Sequence, residues 1–165
     1  MCGADAIKFA ADVMLGKLAR WLRILGYDTF YNPTFSAIEL LKIAQDENRV
    51  LLTRNKHLLS QANSVQHLWV ESNHPKAQLK QVIAAFELDT SSYIFRLCTL
   101  CNVEVHLLPK DEVPNNIPEP IRTDTEIFYQ CPRCLRVYWK GSHIKRFREF
   151  LDSLQHFNPE QHFYL

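Results

Sequence analysis

Residues 7–26 read Ile7-Lys8-Phe9-Ala10-Ala11-Asp12-Val13-Met14-Leu15-Gly16-Lys17-Leu18-Ala19-Arg20-Trp21-Leu22-Arg23-Ile24-Leu25-Gly26. Two patterns meet in this stretch. Ile7 to Ala11 is a short apolar run that ends at a carboxylate, Asp12, and reads as a strand. From Met14 to Leu25, Leu15, Leu18, Ala19, Leu22 and Leu25 recur at helical spacing, and Gly26 stops the helix.

The same alternation continues down the chain. Tyr27 to Tyr31 is a second candidate strand, broken by Asn32-Pro33. Ser36 suits the N-cap of a helix reaching about Glu47. Arg49-Val50-Leu51-Leu52-Thr53 is a continuous buried-strand signal, followed by a short helical piece around Lys56 to Ala62. Val65 to Glu71 reads as another strand, and Pro75 opens a helix running to about Leu88. Repeated β-α order predicts an α/β fold with a mainly parallel sheet and helices packed on its faces. Right-handed crossovers then gather the strand C-termini at one edge. Asp12 and Asn55 lie just past two such ends, where open α/β sheets hold their ligands.

Composition changes near residue 90. Tyr93 to Leu97 and Asn102 to Leu108 are expected as short strands around a first cysteine pair. Glu126 to Gln130 and Arg136 to Lys140 are expected as strands around a second. Between them runs a loop, Pro109 to Thr125, with prolines at 109, 114, 118 and 120. Ser142 to Phe157 carries Ile144, Phe147, Phe150, Leu151 and Leu154 at helical spacing. The expected division is an α/β domain over residues 1–90, a cysteine-bearing ribbon over 91–142 and a C-terminal helix over 143–157.

The 165 residues are 47% hydrophobic, enough to bury a core. The net charge of +1 neither identifies nor excludes a polyanion, because patches matter more than totals. No apolar run approaches the roughly 20 residues that span a bilayer. The N-terminus lacks the basic and apolar segments of a secretory signal, so a cytoplasmic location is the expectation. A reducing compartment favours metal over disulfide for paired cysteines.

Those pairs are Cys98-Thr99-Leu100-Cys101 and Cys131-Pro132-Arg133-Cys134. Two residues between cysteines let both sulfurs turn toward one ion, and four thiolates complete a tetrahedral zinc shell with no place left for water. The site is therefore read as structural zinc. Redox dithiols and an iron–sulfur cluster are the alternatives, and two CxxC knuckles in strand-turn settings favour zinc over both. The long gap between knuckles is tolerable because closure entropy rises slowly with length. Cys2 is left over as an ordinary thiol, and His143 reads as a surface histidine.

Hydrolysis of phosphodiesters with Mg²⁺ or Mn²⁺ needs clustered carboxylates. Asp12 is one candidate. Glu39 is another, because Ala37, Ile38, Leu40, Leu41 and Ala44 take the core side of their helix and leave it facing solvent or a cleft. Taken singly, such an acid is more often a solvated or capping carboxylate than a ligand.

The stretch from Lys8 to Thr29 strongly resembles the PIN-like RNase domain found at the C-terminus of mutator-type 3′–5′ exonucleases and as a free-standing prokaryotic protein. Arg49-Val50-Leu51-Leu52-Thr53-Arg54, the Cys98-x-x-Cys101-Asn102 knuckle, and Cys131-Pro132-Arg133-Cys134 with Val137-Tyr138-Trp139-Lys140-Gly141-Ser142-His143 extend the match in the family's order. The resemblance implies a three-layer α/β/α sandwich with a small zinc ribbon, and a metal-dependent endoribonuclease leaving 5′-phosphate and 3′-hydroxyl ends. Its acids map onto Asp12 and Glu39, as ligands for Mg²⁺ or Mn²⁺. A third acid normally follows Thr-Arg, and here that position is Asn55. An amide keeps an oxygen but loses the charge that raises divalent affinity. The implied alternative is a catalytically degenerate RNA-binding module. Glu71, after the next strand, is a possible substitute acid.

Basic side chains suit an RNA partner. Lys17, Arg20 and Arg23 fall on one side of their helix, opposite the leucines, and residues 13–27 contain no acid. Residues 127–148 hold Arg133, Arg136, Lys140, Lys145, Arg146 and Arg148, with Tyr138 and Trp139 interleaved and again no acid. Such a mixture binds phosphates and stacks bases, unless the aromatics pack into the ribbon. Lys17, Arg20, Arg54, Lys140 and Arg146 are the expected RNA contacts.

Overall fold

The computed structural model describes residues 7–155, the side chains of His143 and Gln155 excepted; Cys2 and Phe157 lie outside it. Within these residues the chain forms two compact units. One holds residues up to Val105 together with Cys131–Cys134; the other holds His106–Gln130 with residues from Leu135 on.

The first unit alternates strand and helix: β1 (Phe9–Ala11), a 3₁₀ turn (Val13–Leu15), α1 (Gly16–Ile24), β2 (Thr29–Phe30), α2 (Ala37–Asp46), β3 (Val50–Thr53), α3 (Lys56–Gln61), β4 (His67–Trp69) and α4 (Pro75–Phe86). The four strands are parallel, in the order β2-β1-β3-β4. The chain leaves β1 on one side for β2 and crosses to the other side for β3. The connections diverge between β1 and β3, which puts the switch point of the sheet at Asp12 and Asn55.

Alternation along the strands separates two cores. Ala10 and Leu51 pack with Leu40 and Ala44 of α2 and Leu58 of α3. On the opposite face Phe9 meets Phe86 of α4 edge-on, with ring centroids 5.5 Å apart, and α1 lies beside α4. The result is the α/β/α layering that the sequence predicts. Each fully buried leucine in these layers contributes about 1.5–3 kcal/mol.

Local chemistry sets the boundaries. At α2 the Ser36 hydroxyl accepts from the Glu39 N–H (3.3 Å) and the Glu39 carboxylate accepts from the Ser36 N–H (2.7 Å), a reciprocal capping box. Gly26 ends α1 with φ of +88°, and a Cβ there would lie 2.5 Å from the Cβ of Tyr93. One expectation fails in α2. Ala37 and Ile38 do not take the core side: both are exposed, Ile38 at 73%, and the helix enters the core only from Leu40 and Ala44 on.

Residues 93–97 are not a strand either. The backbone turns there, with Phe95 at φ +67°. Pairing is confined to a short ladder in which the Cys98 N–H donates to Val103 and the Val105 N–H donates to Arg96, with the first knuckle at its tip.

The second unit is built on an antiparallel sheet, β5 (His106–Leu108), β6 (Phe128–Gln130) and β7 (Val137–Trp139), in that order. The proline-containing loop is more ordered than its composition predicts. Its prolines introduce a 3₁₀ turn (Lys110–Glu112) and α5 (Glu119–Asp124). Leu108, Val113 and Phe128 are buried there with Ile117, Ile121, Val137 and Trp139 against them. A final helix, α6 (Ser142–Gln155), follows.

Candidate functional site

The C-terminal edge of the parallel sheet is organised by Asp12. Its side chain is buried, 6% exposed, and accepts three hydrogen bonds: Met14 N–H on Oδ1 (2.8 Å), and the Thr53 hydroxyl (2.5 Å) and Arg54 N–H (2.7 Å) on Oδ2. The carboxylate thus caps the turn after β1 and ties it to the end of β3. A carboxylate offers about four acceptor positions, so one remains open. Sequence reading missed Thr53 as the partner of Asp12; the pairing of β1 with β3 is what brings them together.

Asn55 follows on the same edge. Its Oδ1 accepts from His57 N–H (3.0 Å) and Leu58 N–H (3.4 Å), and so caps α3. Both lone pairs of the amide oxygen are engaged. Asn is as good an N-cap as Asp, which explains why the fold accepts it here. Glu39 comes to this edge in the first turn of α2. Its Oε2 accepts from both the N–H and hydroxyl of Ser36 (2.7 Å each). Those bonds hold its carboxyl below the usual value, so it is anionic at neutral pH, with Oε1 left over. Glu71, past β4, donates its N–H to Gln81 Oε1 (3.1 Å). Arg54 has a buried Nε without a partner. Among the described residues, these carboxylates do not form a group of three or more that closes on one point.

Lys17 and Arg20 are both exposed and line an open groove of about 590 Å³ with Gly16, Trp21, Ile24 and Thr99. Lys17 Nζ lies 5.2 Å from the Trp21 ring centroid. The groove follows α1 from its first turn, just after Asp12, toward the first cysteine knuckle. Arg23 does not join this face. It is 4% exposed, and its guanidinium donates to the carbonyls of Thr29 (2.9 Å), Thr99 (2.8 Å) and Leu100 (3.0 Å). Helical angle put it on the side of Lys17 and Arg20; the knuckle carbonyls claim it instead.

The four cysteines do converge. The ligand atoms of Cys98, Cys101, Cys131 and Cys134 all lie within 4.8 Å of one another. Cys98 and Cys134 sulfurs are 3.7 Å apart, far beyond a disulfide bond. Tetrahedral Zn–S bonds of about 2.3 Å would set sulfurs roughly 3.8 Å apart. Both knuckles direct backbone N–H groups at the first sulfur, Cys101 N–H to Cys98 (3.3 Å) and Cys134 N–H to Cys131 (3.5 Å). Each also places the residue after its second cysteine in the left-handed region, Asn102 at φ +56° and Leu135 at φ +59°. Burial pushes the Cys101 thiol up to about 12 and raises Cys131 as well. Without a cation these thiols are neutral at pH 7. The donor set fits a metal such as zinc, which would have to displace their protons.

Asn102 locks the knuckle to the sheet. Its Oδ1 accepts from Thr29 N–H (3.0 Å) and its Nδ2 donates to Asp28 (2.6 Å). Asp28 in turn takes a bidentate pair from Arg49, at 2.7 and 3.0 Å. Burial pushes the Asp28 carboxyl up, but the bonds from Arg49 and Asn102 outweigh it and leave the group below its ordinary value.

In the second unit Lys140 and Arg146 are exposed. Lys140 lines a shallow cavity of about 290 Å³ with Lys145 and Arg148, but Glu149 and Asp152 enter it as well. Trp139 packs on Phe128 at 6.4 Å and Tyr138 is buried, so these aromatics belong to the ribbon sheet.

A family model described as the Mut7-C RNAse domain matches residues 7–151. No curated protein and no solved structure matches the chain. Among the described residues no helix is long and apolar enough to cross a membrane.

Proposed function

The chain belongs to the Mut7-C RNAse domain family, an RNase-like nuclease family, and from that premise we propose that it is a divalent-cation-dependent endoribonuclease whose site is the C-terminal edge of the parallel sheet. The observation that carries this reading is Asp12: a buried carboxylate fixed at the switch point by Thr53 and Arg54, with one acceptor position open. When bound, Mg²⁺ or Mn²⁺ would supply charge neutralisation at the scissile phosphate and an activated water. Asp12 and Glu39 are the residues whose carboxylate oxygens would hold it. Asn55 contributes less, because its one oxygen is engaged in capping α3. Arg54, adjacent to Asp12, orients the phosphate, and Lys17 and Arg20 hold the strand along α1. Lys140 and Arg146 add sequence-independent phosphate contacts, which salt would screen.

The cysteine cluster holds zinc in the same reading. Four thiols fill its shell, so the ion is structural and takes no part in hydrolysis.

A second reading keeps RNA binding and gives up turnover. It is favoured by Asn55, whose amide can neither carry charge nor take up a proton.

The experiment is cleavage of single-stranded and structured RNA in Mn²⁺ by wild type and Asp12→Asn. Loss of cleavage in Asp12→Asn, with folding intact, is the expected result. The substitution also removes one of the accepted bonds, a cost of about 1 kcal/mol, so circular dichroism should accompany it. Equal cleavage by both proteins would remove Asp12 from the reaction. Salt-sensitive binding without cleavage in either would leave the binding module.

A further inference from the structure

Exposed apolar side chains collect at the edge that carries Asp12. Val13 and Met14 follow β1, Ile38 lies in the first turn of α2, and Trp69 ends β4; all four are at least 39% exposed. A tryptophan left in water forgoes a large burial gain.

Trp69 pairs in register with Thr53, the residue whose hydroxyl binds Asp12. Neighbouring strands lie about 4.8 Å apart, which puts the backbone of Trp69 one strand from that of Thr53. Its side chain shares the face of the sheet that carries α3. Lys56, the residue after Asn55, places its Nζ 4.7 Å from the centroid of the indole. Gln81 fixes the strand end by donating to the Trp69 carbonyl (2.8 Å) and accepting from Glu71 N–H (3.1 Å). A half-exposed ring on a pinned backbone, with a cation over it, stands next to the proposed site of cleavage.

We propose that Trp69 and Lys56 form a subsite for one unpaired nucleotide flanking the cut, with the base stacked on Trp69 and its phosphate paired with Lys56. The proposal rests on the ribonuclease reading for the position of the cut. In free protein the ammonium sits over the ring; with RNA it moves to the phosphate and the ring receives the base. Bases within a duplex are already stacked, and splayed single-stranded bases are the ones that aromatic side chains capture. The subsite therefore selects single-stranded RNA over duplex. Stacking tolerates any base, so it gives conformational rather than sequence preference.

The test is binding of a fluorescein-labelled single-stranded RNA 12-mer, and of the same strand as a duplex, to zinc-loaded protein without added Mg²⁺ or Mn²⁺. Trp69→Ala should weaken single-strand binding by roughly 5- to 150-fold and leave duplex binding unchanged. Trp69→Phe should restore most of the loss, which a folding defect would not explain. Lys56→Gln should flatten the salt dependence by about one phosphate contact. An abasic residue at one position of the 12-mer should weaken wild type and have no further effect on Trp69→Ala. Wild-type affinity in Trp69→Ala, equal losses for single strand and duplex, or no RNA binding by the wild type would each overturn the subsite. Binding as expected with no Mn²⁺-dependent cleavage would sink the ribonuclease reading and leave the subsite standing.

Discussion

The cysteine knuckles and the Asp12 edge are two regions of one compact unit, assembled in opposite ways. In the knuckles, turns two residues apart aim each pair of sulfurs inward, and all four ligand atoms lie within 4.8 Å before any cation is considered. At the Asp12 edge the three candidate side chains each have a local engagement: Asp12 caps a turn, Glu39 closes a capping box and Asn55 caps α3. Soft thiolates gather through backbone geometry that short motifs encode. Asp12, Glu39 and Asn55 come from three separate segments of the chain, and each serves the fold as a cap. The first region brings four side chains to one point; the second spreads its side chains over separate caps.

The largest effect is expected at the knuckles, from loss of a zinc ion held by their four cysteines. Structural zinc contributes on the order of 10 kcal/mol to small modules. The protein should carry one zinc per chain. Cys131→Ser should lower that content and open residues from about 93 to 142 to protease, leaving a resistant fragment beginning near Ile7, because the parallel sheet has its own core. Limited proteolysis with mass spectrometry reads this out. A variant that resists protease throughout would erase the contrast between the two regions.

A smaller effect should follow from restoring charge at the other region. Asn55→Asp keeps an N-cap and adds an anionic oxygen, so Mn²⁺-dependent cleavage should rise on the order of 10²-fold, the low end of what a positioned acid–base group contributes. A single-turnover assay detects it. No gain, with RNA binding intact, would assign the edge to binding alone.

The smallest effect concerns the tether between knuckle and sheet. Asn102→Ala strips the Thr29 N–H and Asp28 of a partner, at a cost of about 1–3 kcal/mol. The same network makes stability depend on pH. Asp28 sits below its ordinary value of 3.8 when folded, so its contribution is present above that pH and disappears as the pH falls through the lower folded value. Urea melts across this acid range should show a shallower pH dependence in Asn102→Ala than in wild type. Parallel curves would mean that Asn102 does not couple to Asp28.

Much of the parallel unit was legible because its signals are local. The 3.6-residue spacing of Leu15, Leu18, Leu22 and Leu25 defines α1, and Ser36 with Glu39 marks the start of α2. The run from Val50 to Thr53 defines β3. The paired cysteines were legible for the same reason. What sequence could not supply were partners chosen by tertiary folding. Arg23 looks like one more cation on a basic face, yet its acceptors Thr99 and Leu100 lie 76 and 77 residues away. Tyr93 to Leu97 has strand composition, but docking at the end of α1 bends it into a turn: the Phe95 N–H donates to the Ile24 carbonyl. Asn55 carried two signals at once, a missing acid and a helix cap. Trp69 ends a strand that opens on the polar His67 and is half-exposed itself, and residue types alone do not separate such a ring from a core tryptophan.

The most direct test of the central claim is the anomalous scattering of Mn²⁺ soaked into crystals of the protein. A peak is expected at the C-terminal edge, bonded to carboxylate oxygens of Asp12 and Glu39, with the Asn55 oxygen still capping α3. A peak elsewhere, or none at Asp12 at Mn²⁺ concentrations that support RNA cleavage, would contradict it.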